Sequence, residues 1–140
     1  MPEPLLPKSI HLEIVTPDRF LFRGEVQSVT VPAITGYLGI LPGHAPLLSE
    51  LRVGVITYRT ALEEERLFCS WGFVEVLPDR VSVLAEIAER PNEIDVERAR
   101  RKKEEAERLL RSKSPGVDYE QVMISLEKAN TRLEVARASV

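Results

Sequence analysis

Residues 81–99 read Val81-Ser82-Val83-Leu84-Ala85-Glu86-Ile87-Ala88-Glu89-Arg90-Pro91-Asn92-Glu93-Ile94-Asp95-Val96-Glu97-Arg98-Ala99, and the hydrophobic period changes within them. Val81, Val83, Ala85 and Ile87 recur every second residue, the spacing of a strand that turns one face to a core. Past Arg90-Pro91-Asn92 the alternation stops. Asn92 then offers an N-cap, Glu93, Asp95 and Glu97 supply the negative charge that suits a helix start, and Arg108 and Arg111 supply the positive charge that suits its end. This junction divides the chain into a β domain, 1–90, and a helical domain, 91–140.

Upstream of the junction, short runs rich in Val, Ile, Leu, Phe and Thr alternate with turn residues. The runs are 10–16, 19–22, 26–32, 37–41, 53–59, 66–71, 73–77 and 81–88, an all-β pattern. Ile10, Leu12 and Ile14 give the cleanest inward face, opposite His11 and Glu13. Between Val26 and Val29 the apolar phase slips by one residue, which a β-bulge explains. Leu77-Pro78-Asp79-Arg80 reads as a tight turn joining a hairpin, and Leu47-Leu48 falls in a loop. Antiparallel strands with two apolar faces to hide imply a sandwich or flattened barrel.

Downstream, one helix is expected over 95–111 and a second from Asp118, as its cap, to about Arg137. The break at Ser112-Lys113-Ser114-Pro115-Gly116-Val117 makes them an antiparallel hairpin. The second helix carries a seam of Tyr119, Val122, Leu126, Ala129, Leu133, Ala136 and Val140. The first is poorer: 12 of its 17 residues are charged, and its apolar positions are mainly Val96, Ala99, Ala106, Leu109 and Leu110. Alanine buries little area at about 25 cal/mol per Å², so this hairpin is weakly anchored.

The 140 residues hold 19 Lys+Arg against 22 Asp+Glu, a net charge of −3, so no polyanion such as nucleic acid is an expected partner. A single cysteine, Cys69, forms no internal disulfide, and the sequence start lacks a signal-peptide pattern, which points to a reducing compartment on the cytoplasmic side. The uncharged stretch 26–49 contains Pro32, Gly36, Gly39, Pro42, Gly43 and Pro46, too broken for a membrane helix.

Chemistry is sparse. His11, His44 and Cys69 have no metal-site spacing, so neither a metal nor a required cofactor is expected. Ser70, His44 and Asp79 form a hydrolase triad only on paper, for no nucleophile elbow precedes Ser70. Arg98, Arg100, Arg101, Lys102 and Lys103 form a basic run, either a solvated face countered by Glu104, Glu105 and Glu107 or a contact for an acidic surface. Gly36 to Leu48 implies successive sharp reversals, with Tyr37, Leu38 and His44 either packed at a corner or presented to a partner.

The runs Gly39-Ile40-Leu41-Pro42-Gly43-His44-Ala45-Pro46-Leu47-Leu48, Trp71-Gly72-Phe73-Val74-Glu75-Val76 and Ile94-Asp95-Val96-Glu97-Arg98-Ala99, in this order and spacing, resemble the ε-subunit family of F-type ATP synthases. The resemblance implies a β-sandwich followed by a helical hairpin and no active site of its own. It implies a central-stalk rotor subunit of a proton-translocating synthase, docked on the γ subunit and the c-ring and peripheral to the cytoplasmic face of a bacterial inner membrane, or to an organelle's membrane, that it meets only through the complex. It further implies a hairpin that extends toward the α and β subunits to inhibit ATP hydrolysis.

Tyr37, Leu38 and His44 then face the c-ring or γ, and Arg100, Arg101 and Lys103 touch the β subunit. By the same resemblance, regulatory ATP falls to Glu89, Ile94, Asp95, Arg98, Ala99 and Arg132. Glu105 and Lys128 depart from that pattern, standing where ATP-binding members carry arginines; lysine loses the bidentate fork and glutamate repels phosphate. A free-standing nucleotide-binding β-sandwich module is the alternative reading.

Overall fold

The computed structural model describes residues 6–138. Eight strands precede two helices: β1 Ile10–Thr16, β2 Arg19–Val26, β3 Ser28–Ala33, β4 Gly36–Ile40, β5 Leu47–Leu51, β6 Gly54–Arg59, β7 Glu64–Leu77, β8 Arg80–Glu89, α1 Val96–Ser112 and α2 Tyr119–Ala138. The chain separates into two compact units, with the division between Ala88 and Glu89.

In the first unit the strand order is β2-β1-β8-β7-β5-β3-β4, with β6 paired to β3 and β7. All pairings are antiparallel except β1 with β8, which run parallel and set Leu12 beside Val81 and Ile14 beside Val83. The long strand β7 belongs to both layers of the sandwich. Its first half pairs with β6, from Glu64 opposite Arg59 to Cys69 opposite Gly54. Its second half pairs with β5, from Gly72 opposite Leu51 to Val76 opposite Leu47. The two halves meet at Trp71 and Gly72, both at positive φ (57° and 126°). Between the layers lies a core that includes Ile10, Leu12, Ile14, Val29, Val31, Ile56, Val74, Val76, Val81 and Val83, all almost completely buried.

Several sequence expectations are corrected here. Leu47–Leu51, expected as loop, is a strand. Residues 66–71 and 73–77 form one strand, not two. The slip after Val26 is not a bulge: Val26 pairs with Ile10 in one layer, Ser28 with Arg59 in the other, and Gln27 is the crossing point. The register shift instead falls between Ile14 and Val15. In β8 the alternation breaks after Glu86, so Ala88 is buried while Ile87 is exposed.

In the second unit, Pro91–Glu93 forms a single 3-10 turn, and Asp95 rather than Asn92 caps α1. Asp118 caps α2 as expected, accepting the Gln121 N–H at 3.2 Å. One groove is lined by Ala106 and Leu109 together with Val122, another by Val96 together with Leu133, so the helices run antiparallel. Among the described residues of α2, those buried are Ala129, a member of the expected seam, and Val135, which lies off it. Val140 of that seam lies outside the described residues.

A β-carbon on Gly72 would stand 1.9 Å from the Leu84 carbonyl oxygen, whereas one on Gly39 would meet nothing within 4 Å. Gly72→Ala is therefore expected to destabilise the chain by more than about 3 kcal/mol, through left-handed strain plus a backbone clash, and Gly39→Ala by less than about 1 kcal/mol. Paired denaturant melts check this. Equal midpoints would show that the β7–β8 approach is not tight.

Candidate functional site

The outer face of the sheet is apolar along one row. Val15 on β1 pairs with Phe20 on β2 and, on its other side, with Leu84 on β8. Counting back from the two-residue turn at Pro78 and Asp79 sets Phe73 on β7 opposite Leu84, in keeping with the approach of Gly72 to the Leu84 carbonyl. Phe73 pairs with Glu50 on β5, and Leu48 of that strand with Glu75. Alternation puts these residues opposite the core positions Val74, Val83 and Ile14. Phe20 is 57% exposed, Leu84 56%, Phe73 50% and Leu48 69%.

A monomer rarely shows water a connected apolar row across several strands unless something covers it. Glu13, Glu50, Glu75 and Glu86 border the row on the same strands. Arg23 lies over the Phe20 ring at 4.2 Å and pairs with Glu13 at 3.3 Å. The row was open to the sequence reading, because Leu84 and Phe73 are the off-phase members of alternating strands; only the register that aligns them was missing.

Tyr37 and Leu38 lie on strand β4 rather than in a loop and point opposite ways. The Tyr37 ring is exposed, and its hydroxyl accepts the Val55 N–H at 3.0 Å. Leu38 packs against the core. His44 sits in the following turn and donates Nδ1–H to the Ala45 carbonyl at 2.7 Å, the local backbone bond that a packed corner provides. The hydrolase alternative fails on access. Ser70 is fully buried, and its hydroxyl has no partner among the described residues. Burial pushes the neighbouring Cys69 thiol up to about 12, so it is no nucleophile at neutral pH.

Around the hairpin start, the Asp95 carboxylate accepts the Arg98 N–H at 3.1 Å. Ile94 and Ala99 are buried, while Asp95 and Arg98 are exposed. Arg132 on α2 reaches Glu89 with two hydrogen bonds, Nε to Oε1 at 2.8 Å and the second guanidinium nitrogen to Oε2 at 3.3 Å. Two residues assigned to ATP thus bind each other. In the basic run, Arg100 pairs with Glu97 at 2.6 Å, Arg101 is exposed, and Lys103 lines a groove with Arg100, Glu104, Glu107 and Arg137. Among the described residues no three His, Cys, Asp or Glu side chains gather to hold a metal, and no helix is long and apolar enough to cross a membrane.

Residues 9–91 match the family described as "ATP synthase, Delta/Epsilon chain, beta-sandwich domain", and residues 92–137 the one described as "ATP synthase, Delta/Epsilon chain, long alpha-helix domain". The ATP synthase epsilon chain of Moorella thermoacetica is 49% identical over 131 residues, covering 93% of this chain and 98% of that one. The epsilon chain of Halalkalibacterium halodurans is 45% identical over 129 residues, covering 91% and 97%. Among solved structures, a chain of the Euglena gracilis mitochondrial ATP synthase OSCP/F1/c-ring assembly superimposes with a TM-score of 0.82 at 26% identity, covering 97% of this chain and 86% of its own.

Removing the cap at Asp95 leaves the first α1 amides without their acceptor. Asp95→Ala is expected to cost about 1 kcal/mol of helix stability. Hydrogen exchange at residues 96–99 would speed up while α2 stays unchanged; no change at α1 would show the cap to be ornamental.

Proposed function

Because the chain belongs to the epsilon-chain family of ATP synthases and so is a non-catalytic subunit, we propose that it serves in the central stalk of a proton-translocating F-type enzyme. There it couples rotation of the membrane ring to the catalytic head and restrains ATP hydrolysis. The observation that carries this reading is the apolar row Phe20–Val15–Leu84–Phe73 with Leu48, open to water on a well-packed sandwich. Its acidic border suits a γ surface with an apolar centre and basic flanks, since complementary charge fixes register and rejects wrong partners.

The c-ring contact is assigned to the β4 edge and the turn after it. Tyr37 offers an exposed ring there whose hydroxyl is held by Val55. The role of Leu38 is to fasten that strand to the core, and His44 shapes the turn. Contact through these residues would put the subunit on the cytoplasmic face of the membrane, joined to it only through the complex.

Support for a hairpin that extends toward α and β comes from α1, whose buried residues are Ala99 and Ala106 alone among those described. Each contributes little by burial, so differential binding of a few kcal/mol suffices to exchange two hairpin positions. Arg100, Arg101 and Lys103 are the residues offered to acidic groups on β. For regulatory ATP, Asp95, Arg98, Glu89 and Arg132 remain the residues offered, with Asp95 also capping α1 and Arg132 also paired to Glu89, while Glu105 repels phosphate.

In the assembled enzyme, Phe73→Glu and Leu84→Glu are each expected to cut recovery of this subunit with γ at least tenfold, with the isolated chain still folded. Recovery at the original level would remove γ from that face. Deleting 91–140 is expected to raise ATP hydrolysis several-fold and leave assembly intact; unchanged hydrolysis would remove the restraint and keep the docking.

A further inference from the structure

Glu89 is the last residue of β8, Arg132 sits in the second half of α2, and 43 residues separate them. We infer that their ion pair is a latch that fixes α2 to the segment through which the chain enters the hairpin, so that breaking it is the first step of hairpin release. The inference rests on the movable hairpin proposed above and names what holds it.

Geometry distinguishes this pair from the others in the chain. It is a fork-on-fork contact with two hydrogen bonds, and each side chain is only 26% exposed. Arg100–Glu97 has side chains 58% and 70% exposed and joins residues one turn apart on the same helix. Such a pair is screened by water and ties nothing distant together. Water and salt reach the Glu89–Arg132 pair less, and its partners cannot stay in contact if α2 departs.

The surroundings give the latch its weight. The 3-10 turn Pro91–Glu93 fixes the path between Glu89 and α1, where the Arg90 N–H donates to the Glu93 carboxylate at 2.7 Å. Among the described hairpin residues the fully buried apolar side chains are Ile94, Ala99, Ala106, Ala129 and Val135, three of them alanines, while the leucines of both helices are only partly covered. To that partial burial the bidentate charged pair adds a tie with fixed geometry. Parting breaks both hydrogen bonds at once and takes the counter-charge from a part-buried Glu89 carboxylate, which gives release a threshold.

The test uses the full chain and four forms: the unaltered protein, Glu89→Gln, Arg132→Gln and the charge swap of Glu89→Arg with Arg132→Glu. Hydrogen exchange is followed on α2, with β1 and β7 amides as an internal check on folding. Each single change is expected to speed exchange at residues 129–136 about tenfold, and the swap to recover most of the protection.

Unchanged α2 exchange in both single variants, or a swap no better protected than they are, overturns the latch. Hydrolysis by enzyme assembled with Glu89→Gln is read separately. Looser α2 with unchanged hydrolysis upholds the latch and counts against the restraint proposed above, so the two readings fail on different measurements.

Discussion

The approach of the Gly72 backbone to the Leu84 carbonyl is the constraint on which the sandwich depends. Strand β7 must serve two layers, and a strand can change layers only by turning sharply about its own axis. Trp71 and Gly72 supply that turn at positive φ, a region glycine enters freely and tryptophan enters at a cost. The missing β-carbon lets β8 close on β7. Once β8 is seated there, its parallel pairing with β1 aligns Leu84 with Val15. The apolar row on the outer face is thus a consequence of the same glycine that closes the core. Fold and exposed apolar row share one cause.

Much of this was legible in the residues. The inward faces of β1 and of most of β8, the hairpin turn at Pro78-Asp79, the change of period after Arg90 and the Asp118 cap all follow from local spacing. What escaped was set by partners distant in sequence. Leu47–Leu51 has too little alternation to declare a strand, and becomes one because β7 offers it a ladder. Gly72 reads as a break because glycine usually is one, and only the neighbouring backbone shows why the strand continues through it. Asn92 and Asp95 are both good caps; a proline-led 3-10 turn occupies the first, leaving the helix to the second.

The candidate site was legible in a different proportion. Resemblance collects Glu89, Asp95, Arg98 and Arg132 under one ligand, and the same residues also have local partners within the chain. Asp95 stops a helix end, Arg98 stands in solvent and lends its N–H to that cap, and Glu89 and Arg132 neutralise each other. Spacing alone could not separate these roles, because a carboxylate three residues before an arginine suits a cap as well as a phosphate site. The outer row went unremarked for the opposite reason. Its members lie on strands scattered from Val15 to Leu84, and nothing in sequence brings them together until register does.

Two kinds of surface therefore meet different physical demands. An apolar row on a closed sandwich costs little to keep rigid, since its side chains are held by strands whose other face is fully buried, and rigidity is what a docking face gains from. A helix whose buried residues are alanines has the reverse character: it keeps its helical hydrogen bonds wherever it goes, loses little apolar burial when it moves, and carries enough charge to be solvated in either place. A specific tie adds a fixed geometry to so thin an apolar contact. Apolar burial is lost by degrees, whereas a bidentate pair such as Glu89–Arg132 is either made or broken, which is the property the proposed two-position hairpin requires of its resting state.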